Sequence, residues 1–283
     1  MHYAKFLSIS LACGAVLAVY AQQHSRPGIG ELGYDDTPQL PGQKWRVHDI
    51  DRPRPALVTP GAECGQAPAD AVVLFDGKDF SHWHQRGRTG TPKWKLENGY
   101  MEIVGGTGDL LSNEKFGTAQ YHIEWSEPAD LIQGTSQGRG NSGVIVMDHP
   151  DSVGVPAGYE IQVLDTLDNK TYADGQAGAI YGQWPPMVNP IRPAGQWNVY
   201  DIVFEAPKFD GGKVVKPAYV TLFFNGVAVH NHQEVVGPMM HRGIRKYEPH
   251  GAEEPLCLQD HDPTTHVRYR NIWVRRIKGY DSM

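Results

Sequence analysis

One stretch decides the fold, Gly158-Tyr159-Glu160-Ile161-Gln162-Val163-Leu164-Asp165. It alternates apolar and polar residues with the period of two that is typical of a half-buried β-strand. Glu160 and Gln162 fall on the same face, about 7 Å apart at a rise of roughly 3.3 Å per residue. An acid and an amide side by side indicate a polar binding surface, although an ordinary solvated sheet face can have the same pattern.

Short apolar runs of this kind continue through residues 71–277 and are separated by turns. The whole chain has 32 glycines and 21 prolines. Asn98-Gly99 and Asn225-Gly226 are tight hairpin turns, and no long stretch carries the apolar stripe of a helix. We therefore predict an all-β fold, a jelly-roll sandwich of two antiparallel sheets. The predicted strands are 71–77, 94–97, 100–104, 109–112, 119–126, 142–147, 159–164, 177–181, 197–205, 219–224, 227–230, 256–259 and 267–277.

The first residues have the pattern of an export signal. Residues 1–21 contain a weakly basic start, an apolar run too short to span a membrane, and small residues before a cleavage site after Ala21. Lipoprotein cleavage before Cys13 is a second possibility, less favoured because Ser10 stands where such sites usually have Leu. We expect a periplasmic or extracellular protein with a Pro- and Gly-rich arm over residues 22–70 and a folded domain over residues 71–278.

The cysteine content and the net charge lead to two further expectations. Removal of the signal would leave Cys64 and Cys257, which either form one disulfide or remain separate thiols. The net charge is −6 and the isoelectric point is near 6.1. Nucleic acid and anionic membranes are therefore not expected as partners, because each calls for a basic patch.

Two polar segments are candidates for substrate binding. Arg139, Asn141 and Ser142 lie in a glycine-rich segment where the backbone can approach a ligand, although a polar turn has the same composition. The second segment ends a strand-like run with Gln259, Asp260, His261 and Asp262. His261 could be a general base, a metal ligand or a structural residue, because histidine titrates near neutrality.

Histidines and aromatic residues give weaker signals. His230, His232 and His241 form a loose group. His230 and His232 are predicted to lie on one side of a strand and could hold a metal, although no third ligand has a recognisable spacing. Tyr181, Trp184 and Trp197 lie among prolines. Their rings could stack on a sugar or anchor the core.

Ordinary glycoside hydrolysis requires two carboxylates that flank the scissile bond. Sandwich enzymes of the laminarinase type carry them on alternate residues of one strand. The residue two positions after Glu160 is Gln162, so that pair is missing here. Asp165 would point to the opposite face if the strand stayed regular.

Taken in order, eight motifs resemble the 3-keto-disaccharide hydrolase family, long known as a domain of unknown function, over residues 71–277. They are Leu74-Phe75-Asp76-Gly77-Lys78, Gly140-Asn141-Ser142-Gly143, Gly158 to Asp165, Gly178-Ala179-Ile180-Tyr181-Gly182, Gly195-Gln196-Trp197-Asn198, Asn225-Gly226, Leu258-Gln259-Asp260-His261 and Arg270-Asn271-Ile272. The resemblance implies a concanavalin-like jelly roll and activity on glycosides oxidised to a ketone at C3.

A 3-keto group makes the C2 proton acidic, so the bond at C1 can break by β-elimination, with or without later addition of water. One base and one enolate stabiliser are enough. We expect Glu160 or His261 to remove the proton, and the other to bind a divalent metal or donate to the enolate. The substrate-binding candidates are Arg139, Asn141, Ser142, Gln162, Tyr181, Trp184, Trp197, Gln259, Asp260 and Arg270.

One position departs from the family pattern, because Met147 stands where an arginine is expected. Any contact that this arginine makes in relatives would have to come from another residue, with Arg139 and Arg270 as candidates. Two other functions stay open: a carbohydrate-binding module, which needs no ionisable Glu160 or His261, and a conventional glycosidase. The second carboxylate of a glycosidase would be Asp165, Asp260 or Glu124.

Overall fold

The computed structural model describes residues 27–280, so the predicted signal and Cys13 lie outside the described residues. Two short 3-10 helices, Ser136–Gly138 and Ala173–Gly175, accompany the strands, and no helix in the described part could cross a membrane. The strands are β1 (Val72–Phe75), β2 (Trp83–Gln85), β3 (Lys95–Glu97), β4 (Tyr100–Glu102), β5 (Leu110–Phe116), β6 (Ala119–Ser126), β7 (Ser142–Pro150), β8 (Pro156–Val163), β9 (Asn198–Glu205), β10 (Lys208–Asp210), β11 (Lys213–Lys216), β12 (Tyr219–Phe224), β13 (Val227–Glu234), β14 (Glu254–Leu258) and β15 (Arg268–Arg276).

Two large antiparallel sheets form the sandwich. One has eight strands in the order β13-β12-β9-β6-β15-β4-β3, with β1 also paired to β15, and the other has five in the order β2-β5-β14-β7-β8. Strands β10 and β11 form a separate hairpin. The predicted all-β jelly-roll sandwich of two antiparallel sheets is confirmed.

One apolar core lies between the sheets. Tyr121, Trp125 and Tyr200 from the eight-stranded sheet are fully buried in the same cluster as Tyr159 and Val163 from the five-stranded sheet. Burial of each large apolar side chain contributes about 1.5–3 kcal/mol. This core fixes which side of β8 faces inward and which is left for a binding surface.

Both predicted hairpin turns are confirmed. Asn98 and Gly99 have φ values of 50° and 77°, and Asn225 and Gly226 have 51° and 80°. Positive φ at both central residues is the geometry that Asn-Gly adopts in two-residue hairpins. The turns join β3 to β4 and β12 to β13.

The described chain divides into two compact units, residues 27–57 with 278–280, and residues 58–277. The described part of the smaller unit contains isolated β-bridges, such as that between Tyr34 and Asp49, and none of the strands β1 to β15. It is therefore irregular, as expected for the arm. Residues 58–70 belong to the larger unit. There, Asn271 and Trp273 each donate a side-chain hydrogen bond to the Gly65 carbonyl, at 2.8 and 2.9 Å.

The prediction of a strand over 177–181 was wrong. This segment forms only isolated bridges, from Ile180 to Ile161 and to Trp184. The metal-site arrangement of His230 and His232 was also wrong, because register shifts along the pairing of β12 with β13 separate the two rings. His230 is buried against the Gly178 carbonyl, whereas His232 is exposed beside Tyr219.

Candidate active site

The register of the five-stranded sheet aligns one row of side chains on its outer face, the face turned away from the core. Tyr159, Ile161 and Val163 are buried in the core, so the predicted alternation of β8 is confirmed. Glu160 and Gln162 therefore lie on the outer face. The row that contains Glu160 runs from Glu160 through Ile145, Cys257 and Leu111 to His84.

A cavity of about 460 Å³ lies on the outer face, within the size range of small-molecule sites. The β8 side of the sheet supplies its base, and two irregular segments supply its walls. It brings together six of the predicted site residues. The lining residues are Gln137, Asn141, Pro156, Glu160, Gln162, Tyr172, Tyr181, Met239, Met240, His241, Arg245, Gln259 and His261.

Glu160 is the buried acid of this cavity, with 4% of its surface exposed. No residue within 27–280 donates a hydrogen bond to its carboxyl group. Burial, and secondarily the negative charge of Asp109, raises the pKa of Glu160 to about 8. A carboxyl group with this pKa accepts a proton far more readily than an ordinary glutamate and still ionises near neutrality.

One wall is the segment that follows the second 3-10 helix. Its backbone extends the sheet beside β8, since the Tyr181 amide donates to the Glu160 carbonyl at 3.1 Å. The Tyr181 hydroxyl contacts His241 Nδ1 at 2.9 Å and the Tyr172 hydroxyl at 3.1 Å. Burial, with the Tyr172 hydrogen bond, raises the pKa of Tyr181, so the phenol keeps its proton near neutrality.

A second wall is a loop after β13, which the sequence did not indicate apart from His241. The Met239 amide donates to the Gly158 carbonyl at 2.7 Å, which attaches the loop to the edge of β8. Arg245 donates to the Pro156 carbonyl at 3.3 Å and lies 3.5 Å from Asp151. The loop thus places His241 and Arg245 at the cavity, and the guanidinium there is neither Arg139 nor Arg270.

The amide side chains differ in what they can offer a ligand. Gln162 donates to Asn141 Oδ1 at 2.8 Å, and Asn141 donates to the Gln137 carbonyl at 2.7 Å, so this pair braces the cavity base. The Gln259 side-chain oxygen is buried without a hydrogen-bond partner. An unpaired buried polar atom is costly, and a hydroxyl group could satisfy it if the Gln259 side chain turned into the cavity that it lines.

His261 lies at the rim of the cavity and is exposed. Its Nδ1 contacts the Asp262 carboxylate at 3.0 Å, which fixes the ring and leaves Nε2 for a ligand. Within residues 27–280, no three His, Cys, Asp or Glu side chains are arranged to hold a metal ion. Glu160 and His261 therefore do not complete the expected metal site with a third side chain of those types.

Three predicted substrate-binding residues are engaged elsewhere. Arg139 pairs with Asp165 at 2.8 Å. The buried Ser142 hydroxyl contacts the Gln259 carbonyl and the Tyr269 hydroxyl. Asp260 accepts hydrogen bonds from the amides of Gly106 and Gly108, at 3.1 and 2.7 Å. None of the three lines the cavity, so we leave them out of the candidate site.

The other three predicted residues also lie outside this cavity. Arg270 stacks over Trp197 at 4.1 Å from the ring centre and pairs with Glu124 at 2.6 Å, and it belongs to the eight-stranded sheet. Trp184 lines a smaller cavity beside the first one. Met147, at the position of the expected arginine, is buried in the core.

Comparison with known proteins identifies relatives of this chain. A family model described as a 3-keto-alpha-glucoside-1,2-lyase-like domain matches residues 70–275. A curated 3-keto-disaccharide hydrolase from Bacteroides thetaiotaomicron is 26% identical over 162 residues, which cover 47% of this chain and 53% of that protein. The chain thus aligns with about half the length of that relative.

Solved structures show the same fold. A Parabacteroides distasonis protein, provisionally described as a glycosyl hydrolase, is 39% identical, with a TM-score of 0.73 over 83% of this chain and 99% of its own. A second protein from that organism, with the same provisional description, is 19% identical, with a TM-score of 0.52 over 74% of this chain and 94% of its own. The second likeness concerns the fold alone.

Proposed function

We propose, on the premise that this chain belongs to the 3-keto-alpha-glucoside-1,2-lyase-like family, that it is an enzyme that cleaves glycosides oxidised to a ketone at C3. The family match and the curated relative confirm the family predicted from the eight motifs. The observation that carries the proposal is the Glu160 carboxyl group, buried at the cavity and free of hydrogen bonds from the described residues.

Glu160 is the proposed base. Its carboxylate takes the C2 proton, the C2–H electron pair forms a double bond between C1 and C2, and the C1–O bond breaks. The aglycone leaves with the bond electrons on its oxygen and takes up a proton, and the sugar becomes an enone. Addition of water across the double bond would then complete a net hydrolysis.

The residues around Glu160 supply the other parts of this reaction. Negative charge develops on the C3 oxygen, where Arg245 and the His261 ring, held by Asp262, can stabilise it. Tyr181 is the proposed proton donor to the leaving oxygen, because its phenol is protonated near neutrality and is positioned by His241. Gln259, whose side-chain oxygen has no hydrogen-bond partner, is the proposed ligand of a sugar hydroxyl.

A conventional glycosidase is the second class of function. Its second carboxylate would have to be Asp165, Asp260 or Glu124, and the structure engages each of them elsewhere, with Arg139, two backbone amides and Arg270 respectively. Elimination needs one base, which the cavity provides. The fold alone does not distinguish these chemistries from sugar binding.

The proposal is tested by incubating the protein with a 3-keto glucoside and with its unoxidised parent, each with and without a chelator. We expect aglycone release from the keto sugar only, and loss of release in Glu160→Gln with a melting temperature no lower than that of wild type. The incubations with a chelator test whether a metal is required. No step of the proposed reaction uses one. Release from the parent sugar would support ordinary hydrolysis, and binding without release would support a sugar-binding module.

A further inference from the structure

A second cavity of about 260 Å³ adjoins the first one. The two cavities share Tyr181, Met240 and Arg245 as lining residues, so they meet at these three side chains. Tyr181 is also the proposed proton donor to the leaving oxygen. A glycoside with its sugar ring over Glu160 and its glycosidic oxygen at Tyr181 would direct its aglycone into the second cavity.

Hydrogen bonds hold the walls of the second cavity in place. Gln183 donates to the Gly237 carbonyl at 2.8 Å and accepts from the Val236 amide at 2.7 Å. The Trp184 indole N–H donates to the Glu234 carbonyl at 2.9 Å. The cavity is therefore preformed, and these bonds already use the polar groups of Gln183 and Trp184.

Apart from Tyr181, Gln183 and Arg245, the side chains that line the second cavity are mainly apolar. Trp184, Val236, Met240 and Ile244 are all exposed, and Ile244 has 78% of its surface accessible. A cluster of exposed apolar side chains in a preformed cavity is typical of a ligand site, because its exposure is otherwise unfavourable. A volume of about 260 Å³ exceeds the roughly 150 Å³ in which an apolar protein cavity binds benzene.

We propose that this second cavity is the aglycone subsite and that it selects apolar, ring-bearing aglycones over a second hexose. The inference rests on the proposed function and names the substrate class of that site. A second hexose would present hydroxyl groups to walls whose polar side chains are largely occupied. A flat apolar ring can instead pack against Trp184, Val236 and Ile244.

The test compares 1-naphthyl and methyl 3-keto-α-glucosides and a 3-keto-disaccharide as substrates. The test variant is Val236→Ser combined with Ile244→Ser. The matched control is Val215→Ser, an apolar residue 63% exposed on β11 that lines neither cavity. The ratio of variant to wild type for each substrate cancels the different reactivities of the leaving groups.

We expect the double variant to lower kcat/KM for the naphthyl substrate about tenfold more than for the methyl substrate, mainly through KM. Val215→Ser should leave the ratio unchanged. Wild-type protein should cleave the naphthyl substrate with a higher kcat/KM than the disaccharide. Equal losses on both substrates, no loss on the naphthyl substrate, or a preference for the disaccharide would each overturn the aglycone proposal.

The same series separates this inference from the proposed function. If wild-type protein cleaves the methyl 3-keto substrate but shows no naphthyl-specific loss in the double variant, the aglycone subsite fails while elimination stands. If no keto substrate is cleaved, the proposed function fails. The subsite is then judged by calorimetric binding of 1-naphthol, which wild type should bind at least tenfold more tightly than the double variant, and equal binding would overturn it.

Discussion

Gly143 leaves the space that the Glu160 carboxylate occupies. The two residues lie on adjacent strands, where β7 pairs with β8, and a Cβ atom added at Gly143 would lie 2.5 Å from Glu160 Oε1. Real Cβ atoms do not approach another heavy atom so closely. A side chain at position 143 would therefore force the Glu160 side chain to move, so glycine here allows the observed position of the carboxylate.

Gly143→Ala should therefore displace the carboxylate and reduce kcat on a 3-keto glucoside at least tenfold. The free energy of unfolding should fall by about 1–3 kcal/mol, the usual cost of overpacking. Steady-state kinetics and chemical denaturation measure the two effects. Gly138→Ala is the control, because a Cβ there meets no atom within 4 Å. Full activity of Gly143→Ala would contradict this view of the site.

The pH dependence of the reaction should report the ionisation of Glu160. A general base acts when deprotonated, and burial raises the pKa of Glu160 to about 8. We expect kcat/KM to rise from pH 6 and to reach half of its limiting value near pH 8. Rate profiles of wild type and Gly138→Ala should coincide. A rate that is flat or falls over pH 6 to 9 would exclude Glu160 as the base.

Stability should depend on pH in the opposite direction. The pKa of Glu160 is raised from its ordinary value of 4.5 to about 8 in the folded state. Between these values the folded protein keeps a proton on Glu160 that the unfolded chain has lost, so the contribution of Glu160 to stability is highest below pH 4.5 and declines through pH 8. The slope is about 1.4 kcal/mol per pH unit.

Glu160→Gln lacks this titration and provides the reference for that measurement. The difference in unfolding free energy between wild type and Glu160→Gln should change steadily from pH 5 to 8, to the disadvantage of wild type. Denaturant titrations at several pH values measure this difference. A constant difference across this range would show that the Glu160 carboxyl group is solvated.

The two cysteines of the larger unit should react at very different rates. Both are free thiols, Cys64 exposed and Cys257 buried, and burial raises the pKa of the Cys257 thiol. A thiol reagent should therefore modify Cys64 in the native protein and Cys257 only after unfolding. Comparison with Cys64→Ser assigns the fast phase. Two thiols that stay unreactive in denaturant until a reductant is added would instead indicate a disulfide.

The sequence was most informative where periodicity and turn chemistry act locally. The alternation around Glu160 predicted both the strand and its polar face, and the two Asn-Gly pairs predicted their hairpins. Short strands such as β2 and β10 were missed because three residues do not establish a period. Residues 177–181 were predicted to form a strand. In the structure this segment extends the sheet beside β8, but only through isolated bridges.

The candidate site was only partly predictable, because side-chain partners are decided by the tertiary fold. Arg245 gave no periodic signal, since an irregular loop carries it to the cavity. Trp197 and Arg270 are suitable for sugar binding by residue type, yet Arg270 stacks over the Trp197 ring outside the cavity. Asp260 adjoins His261 in sequence, but backbone amides engage its carboxylate.

The most direct test of the central claim is hydrogen exchange at C2 in a substrate analogue that has no aglycone to lose. A C3-oxidised 1,5-anhydrohexitol in D₂O, followed by proton NMR, reports proton abstraction without elimination. We predict that wild type and Val215→Ser exchange the C2 proton at least tenfold faster than the C4 proton, and that Glu160→Gln exchanges it at the protein-free rate. Exchange at C2 that is as fast in Glu160→Gln as in wild type would contradict the assignment of Glu160 as the base.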